Sequence, residues 1–336
     1  MLCLGGAIRG PRLNHMKPFR VVSFPTAELL EAVGPLPDGL RAGVWDIQGE
    51  PEGIELGEID VAILPYMASV ASLAGIRRAS NLQLVQTQTT GFDGVHDLVG
   101  PNVSVSTAAG VHAAGTAELA LGLVLASLRG IGESVRDQAE RRWNPRRWPG
   151  LADRKVAIVG VGGIGEEIRK RLVPFDVELS RFGTRARTDD HGQIFAIDDL
   201  LHRAGDIEVL ILIVPHNAGT HHLINAQILA ALPDGAVVVN VARGPVVDTD
   251  ALVAELETGR IRCASDVFDP EPLPAEHPIW QLPNALVIPH NGGNSGAFLP
   301  RMVKLLQRQV AAWGNGEPGE NLVDAPASGA EGLKDS

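Results

Sequence analysis

At 336 residues the chain is long enough for two domains of ordinary size. Its 29 Lys and Arg against 40 Asp and Glu give a formal net charge of −11, which counts against a nucleic-acid-binding protein. Two cysteines, Cys3 and Cys263, build no disulfide framework and suit a cytoplasmic setting, and no apolar run is long enough to span a bilayer.

Residues 1–15 carry no periodic pattern and are expected to form a loose tail. Their charges, Arg9 and Arg12, follow the apolar part, which is not the layout of a signal peptide. From residue 18 to 106 short apolar runs alternate with helical or turn segments. Strands are expected at Phe19–Phe24, Ala42–Trp45, Val61–Pro65, Leu82–Thr87 and Val103–Ser106, with helical pieces at Thr26–Val33 and Ser69–Ala74. Such alternation implies a parallel sheet covered on both faces. The loop Thr89–Asp93 follows a strand, where open α/β sheets place ligands, although a plain turn is the simpler reading of those residues alone.

Residues 107–130 open as a glycine loop and become a long apolar helix, in which Leu119–Leu128 reads as buried. Glu118 falls inside that apolar face, where a carboxylate needs a partner. Residues 131–154 are rich in Arg and Trp, including Arg141, Arg142, Trp143, Arg146, Arg147 and Trp148. That composition favours a subunit interface over a solvated connector.

The stretch Lys155–Arg171 is the most informative. The apolar run Val156–Val159 leads into Gly160, Gly162 and Gly165 in a G-x-G-x-x-G pattern, and Ile164, Ile168 and Leu172 then recur on one helix face. Strand, glycine turn and helix together form the dinucleotide-binding fingerprint. Gly160 permits the turn, Gly162 lets a pyrophosphate approach the backbone, and Gly165 lets the helix pack closely. Free N–H groups at the helix start face the anion. A second series of buried strands follows: Val177–Phe182, Glu208–Val214, Ala236–Ala242, Cys263–Val267 and Leu286–Ile288. Asp248 or Thr249 caps a helix that Gly259 ends, and residues 296–313 form a last amphipathic helix.

About 20 residues past the glycines an NAD site wants an acid for the ribose hydroxyls. Here Gly183, Thr184, Arg185 and Arg187 stand instead. Arginine accommodates a 2′-phosphate, so NADP is favoured over NAD. The alternative is that both arginines are solvated and NAD binds without its usual acid. Three further strand ends carry Arg243, then Asp266 and Glu271, then His290, and in one nucleotide-binding sheet they would meet at one edge.

The segments TTGFD (89–93), GVHAAGTAE (110–118), GVGGIG (160–165), NVARGPVVD (240–248), DVFDPEPLP (266–274) and PHNGG (289–293) resemble the D-isomer-specific 2-hydroxyacid dehydrogenase family, in family order from about Leu82 to Asp324. The resemblance implies an α/β fold of two Rossmann-like doubly wound parallel-sheet domains with the active site in the cleft between them. Residues 16–107 with 292–325 would form the flavodoxin-like substrate domain, residues 108–291 the dinucleotide domain, and 326–336 a second loose tail. It implies His290 as general acid/base, Glu271 as its ring-nitrogen partner, and Arg243 as the group binding the substrate carboxylate. Thr90 and Gly91 would lie at the substrate and nicotinamide end. Gly163, Ile164, Val214, Val241, Ala242, Gly292 and Gly293 would line the cofactor, with Asp266 on the nicotinamide carboxamide.

The implied activity is hydride transfer between NAD(P) and C2 of a small 2-oxo or 2-hydroxy acid, with glyoxylate and hydroxypyruvate as plausible substrates by analogy. A homodimer built largely from residues 108–150 is expected, with no nucleic-acid or membrane partner. The contrasting reading is a dinucleotide-sensing, non-catalytic binding protein on the same fold, of the corepressor kind. His216, His221 and His222 depart from the family pattern, but they lack a metal-ligand spacing and no Cys or clustered acid joins them, so no metal site is expected.

Overall fold

Parallel strands connected by helices build each of two units, one running to Val111 and resuming at Leu299, the other spanning His112–Phe298. The computed structural model describes residues 17–323, so both expected tails, and Cys3, lie outside the described residues.

The first unit opens with β1 (Val21–Phe24), α1 (Ala27–Val33), β2 (Arg41–Val44), β3 (Val61–Ile63), β4 (Leu84–Gln86), α2 (Val95–Val99) and β5 (Ser104–Ser106). Thr26 caps α1 by accepting from the N–H of Leu29 at 3.2 Å, the usual device for an otherwise orphaned first-turn donor. The helical piece expected at Ser69–Ala74 is a 3-10 helix, Ala71–Arg78.

The second unit continues with α3 (Ala113–Leu128), α4 (Ile131–Ala139), β6 (Lys155–Val159), α5 (Gly163–Leu172), β7 (Glu178–Gly183), β8 (Arg187–Asp189), β9 (Gly192–Ala196), α6 (Leu200–Arg203), β10 (Val209–Leu212), α7 (Ala226–Ala231), β11 (Val237–Asn240), α8 (Thr249–Glu257), β12 (Arg262–Ser265) and β13 (Ala285–Val287). Its sheet runs β13-β12-β11-β10-β6-β7-β9-β8, parallel except where β8 turns back on β9. Side-chain alternation explains the unbroken apolar runs. Val156, Ile158, Val209 and Ile211 pack with Ala117, Val124 and Ile168 on one face. Ala157, Val159, Leu210 and Leu212 pack with Ile228, Leu252 and Leu256 on the other. Strand order reverses between β6 and β10, the kind of switch point at which such sheets bind ligands.

The chain returns to the first unit through α9 (Phe298–Gly314) and β14 (Leu322–Val323), giving a sheet ordered β14-β5-β4-β3-β1-β2 with β14 alone antiparallel. Gln309 ties α9 to that sheet. Fully buried, it donates to Gln86 Oε1 at 2.7 Å and Ser106 Oγ at 3.0 Å, and accepts from the N–H of Glu320 at 2.7 Å.

Three expectations need correction. The unit boundaries differ by a few residues from 107/108 and 291/292. Ala108 donates to the Thr89 carbonyl and Asn321 to that of Ala109, which holds 108–111 in the first unit. Gly292 donates to Asp266 and Phe298 stacks on His112, which holds 292–298 in the second. Glu118 is not inside the apolar face of α3; its side chain is exposed, 4.0 Å from Arg171. Finally, β8 and β9 occupy a stretch with no apolar alternation, where no strand is expected.

Among the described residues no single helix is long and apolar enough to cross a membrane.

Candidate active site

The second sheet brings the chemistry-bearing residues to its carboxyl edge. After β6, Gly160 adopts φ +120° and a Cβ there would collide with the Ile213 carbonyl; a Cβ at Gly165 would collide with the Gly160 carbonyl. Only glycine therefore allows the turn and the close seating of α5 on its strand. The α5 cap is Gly162, which offers no side-chain cap, and the space above Gly162 and Gly163 is open. These features suit an anion at the N-terminus of α5.

After β11, Asn240 shapes the next turn. Its Oδ1 accepts from the Ala242 N–H and its Nδ2 donates to the Arg243 carbonyl, both at 3.0 Å, so the turn presents Arg243. Val241, Ala242 and Val214 are packed into the core at the ends of β11 and β10.

After β12, Asp266 is buried. Its Oδ2 accepts from the Gly292 N–H at 2.7 Å, while Oδ1 is buried with no hydrogen-bond partner. Burial raises its pKa above the usual carboxylate value, against the opposing pull of that N–H. Glu271 follows in the proline-stiffened turn. Its Oε1 accepts from the Phe268 N–H at 2.8 Å and its Oε2 lies 2.8 Å from His290 Nδ1. Burial pushes the Glu271 pKa up, but the imidazole and backbone hydrogen bonds together bring it below normal.

His290, after β13, sits at φ +44°, a left-handed conformation that costs most residues free energy. Its N–H is held by the Asp266 carbonyl at 2.8 Å. The Glu271 hydrogen bond raises the His290 pKa, burial opposing it. A carboxylate at Nδ1 fixes the proton there and leaves Nε2 for a ligand. The Arg243 charge acts on Asp266, Glu271 and His290 alike, so these four groups form one electrostatic cluster.

At the end of β7, Thr184, Arg185 and Arg187 are exposed, and Arg187 opens β8 rather than lying in a loop. A cavity of about 280 Å³ lies under this corner, lined by Gly160, Gly165, Glu166, Arg181, Asp189 and His191. Its charged groups are satisfied by one another: Arg181 by Asp189, and Glu166 by Arg169 with His191 at 3.5 Å. His216 Nε2 and His221 Nδ1 are 3.2 Å apart and His221 stacks on His222, yet among the described residues no group of three or more His, Cys, Asp or Glu is arranged to hold a metal. Thr90 and Gly91 belong to the first unit, where Thr90 Oγ1 is buried without a hydrogen-bond partner.

Residues 121–292 match the family model of the D-isomer specific 2-hydroxyacid dehydrogenase NAD binding domain. The chain belongs to this family. A glyoxylate reductase of Thermofilum pendens is 34% identical over 260 residues, covering 73% of this chain and 76% of that one. The human glyoxylate reductase/hydroxypyruvate reductase is 29% identical over 252 residues, covering 71% and 76%. A D-isomer specific 2-hydroxyacid dehydrogenase from Xanthobacter autotrophicus Py2, solved in complex with NADPH and MES, superposes with a TM-score of 0.76 at 27% identity, covering 92% of this chain and 98% of that one.

As a 2-hydroxyacid dehydrogenase the chain is an oxidoreductase acting on CH–OH donors with a nicotinamide dinucleotide. Its own residues fit that cofactor. The uncapped α5 suits the pyrophosphate, and the unpartnered Oδ1 of Asp266 suits a carboxamide N–H. Sequence reasoning missed the pairing of Arg181 with Asp189, eight residues on, which no local spacing reveals, and the supporting role of Asn240, whose bonds two and three residues on are the local turn signal that could have found it.

Proposed function

We propose that this dehydrogenase reduces small 2-oxo acids of the glyoxylate or hydroxypyruvate kind to D-2-hydroxy acids, prefers NADP, and uses His290 as general acid/base. The observation that carries the chemistry is the 2.8 Å contact between His290 Nδ1 and Glu271 Oε2. The bound nicotinamide supplies the hydride. Nε2 of His290 delivers a proton to the carbonyl oxygen as charge develops there, and retrieves it in oxidation. Glu271 keeps the ring oriented and favours imidazolium. Arg243 holds the substrate carboxylate, its planar fork suiting a planar anion, and stabilises the developing oxyanion. Asp266, through its unpartnered Oδ1, would hold the nicotinamide carboxamide by accepting from its N–H.

The NADP preference rests on Gly183 and Arg187. A Cβ placed on Gly183 would lie 3.3 Å from Nη1 of Arg187, so a guanidinium stands where an NAD site keeps its acid. Thr184 and Arg185 flank it.

The chain also forms a homodimer through the segment carrying Trp143. That indole is 97% exposed, and Ile131 and Val135 on α4 are exposed apolar side chains. Sedimentation of the wild type and of a Trp143→Ala variant tests this; a monomeric wild type overturns it.

The decisive experiment is oxidation of NADPH and of NADH by the purified protein with glyoxylate, hydroxypyruvate, pyruvate, 2-oxobutyrate and phenylpyruvate. Turnover with a clear NADPH preference is expected. Faster NADH oxidation would overturn the arginine argument and leave the reaction class intact. Tight dinucleotide binding with no turnover on any acid would favour a dinucleotide-sensing binding protein.

A further inference from the structure

Arg181 is out of place in β7. It pairs with Ile158 in a sheet of apolar strands, and only 7% of its side chain is exposed. Burying a guanidinium is costly unless its donors are matched. Here they are: Nη1 and Nη2 donate to the two carboxylate oxygens of Asp189 at 2.8 and 2.6 Å, and Nη2 also reaches the Gly192 carbonyl at 3.0 Å. The fork thus grips both sides of the β8–β9 turn. Asp189 further accepts from the His191 N–H at 2.8 Å, and His191 lies 3.5 Å from Glu166 in the first turn of α5.

Backbone pairing anchors β9, which lies beside β7 and buries Ile194, whereas β8 is the edge strand and pairs with β9. β8 is three residues long and wholly exposed, so it contributes almost no apolar burial of its own. Yet it is β8 that begins with Arg187, whose guanidinium lies over Gly183. Buried ion pairs add little net stability, and their best-attested use is to fix one geometry.

We propose that the Arg181–Asp189 pair is a positioning clamp for cofactor selectivity: by pinning the β8–β9 hairpin it keeps Arg187 over Gly183 and so sets discrimination between a ribose 2′-phosphate and a free 2′-hydroxyl. This rests on the NADP reading above. The proposed effect passes through Arg187, so both are positioning residues.

The test compares wild type with Asp189→Asn in two measurements: KM and kcat with NADPH and NADH, and calorimetric binding of 2′,5′-ADP and 5′-AMP. Asp189→Asn should raise the NADPH KM about tenfold or more, the scale of one charged hydrogen bond, with kcat and the NADH KM unchanged. Its preference for 2′,5′-ADP over 5′-AMP should fall in parallel. If the variant does not fold, Asp189→Glu keeps the charge on a longer stem, displaces the hairpin, and should show the same selective loss. A variant that discriminates as well as wild type, or weakens both cofactors equally, overturns the clamp. A wild type that binds 2′,5′-ADP and 5′-AMP alike overturns the NADP reading and the clamp with it.

Discussion

Nδ1 of His290 faces Oε2 of Glu271 at 2.8 Å, and the other oxygen of that carboxylate is occupied by the N–H of Phe268. The carboxylate is therefore fixed before any ligand arrives, and the imidazole is fixed by it. This contact raises the His290 pKa above its ordinary 6.5. Reduction needs the imidazolium, so kcat/KM for a 2-oxo acid should be full at low pH and fall as pH rises through the raised His290 value. Oxidation of the hydroxy acid should rise over the same interval. In Glu271→Gln the neutral amide no longer favours imidazolium, and both limbs should move to lower pH. Superimposable pH–rate profiles for wild type and variant would remove Glu271 from this role.

Replacing His290 itself should cost about 10²–10⁴ in kcat, the usual contribution of a general acid. His290→Asn is the cleanest variant because asparagine tolerates the left-handed backbone at φ +44° better than Ala or Gln. Dinucleotide affinity, measured by fluorescence titration, should change little, since the α5 N-terminus and Asp266 are untouched. Unchanged turnover would show that the proton comes from elsewhere.

Arg243→Lys keeps the charge and loses the fork. A compact ammonium cannot match both carboxylate oxygens and the carbonyl, so kcat/KM for the 2-oxo acid should fall about 10²-fold, with cofactor KM nearly constant. Steady-state kinetics varying each substrate in turn separates the two. An equal loss in cofactor and acid terms would point to a distorted turn after β11 instead.

Much of this was written in local pattern. Val156–Val159 and Val237–Asn240 read as strands because both their faces are buried, and Gly160, Arg243, Glu271 and His290 stand in motifs with fixed spacing. What pattern could not convey is pairing at a distance. Arg187–Asp189 form a strand by pairing with β9, and Asp189 meets Arg181, a buried charge eight residues earlier in the chain. Glu118 looked buried from its neighbours, yet helical phase turns it outward. The left-handed backbone of His290 leaves no trace in composition, because a histidine there is chosen for chemistry against conformational preference.

Gln309 offers a prediction about the first unit alone. Its amide satisfies Gln86, Ser106 and Glu320 at once inside the core. Gln309→Leu is close in volume but strands the Glu320 N–H and the side-chain Oε1 of Gln86. The expected loss is about 2–3 kcal/mol, read as a lower midpoint in urea unfolding, with dinucleotide affinity unaffected. A neutral effect would mean that those groups find water.

The sharpest test of cofactor choice is Gly183→Asp. An added Cβ would stand 2.9 Å from Val161 Cγ2, which must give way, and 3.3 Å from both Ile194 Cγ2 and Nη1 of Arg187. The new carboxylate would pair with that guanidinium, withdraw it from a 2′-phosphate, and itself repel the phosphate. It would also supply the acceptor that ribose hydroxyls want. Specificity for NADPH should therefore fall about tenfold or more while NADH improves, because one substitution removes a charged hydrogen bond for one cofactor and creates one for the other. Parallel losses with both cofactors would mean that the side chain only disturbs the glycine turn, and that Arg187 does not read the ribose.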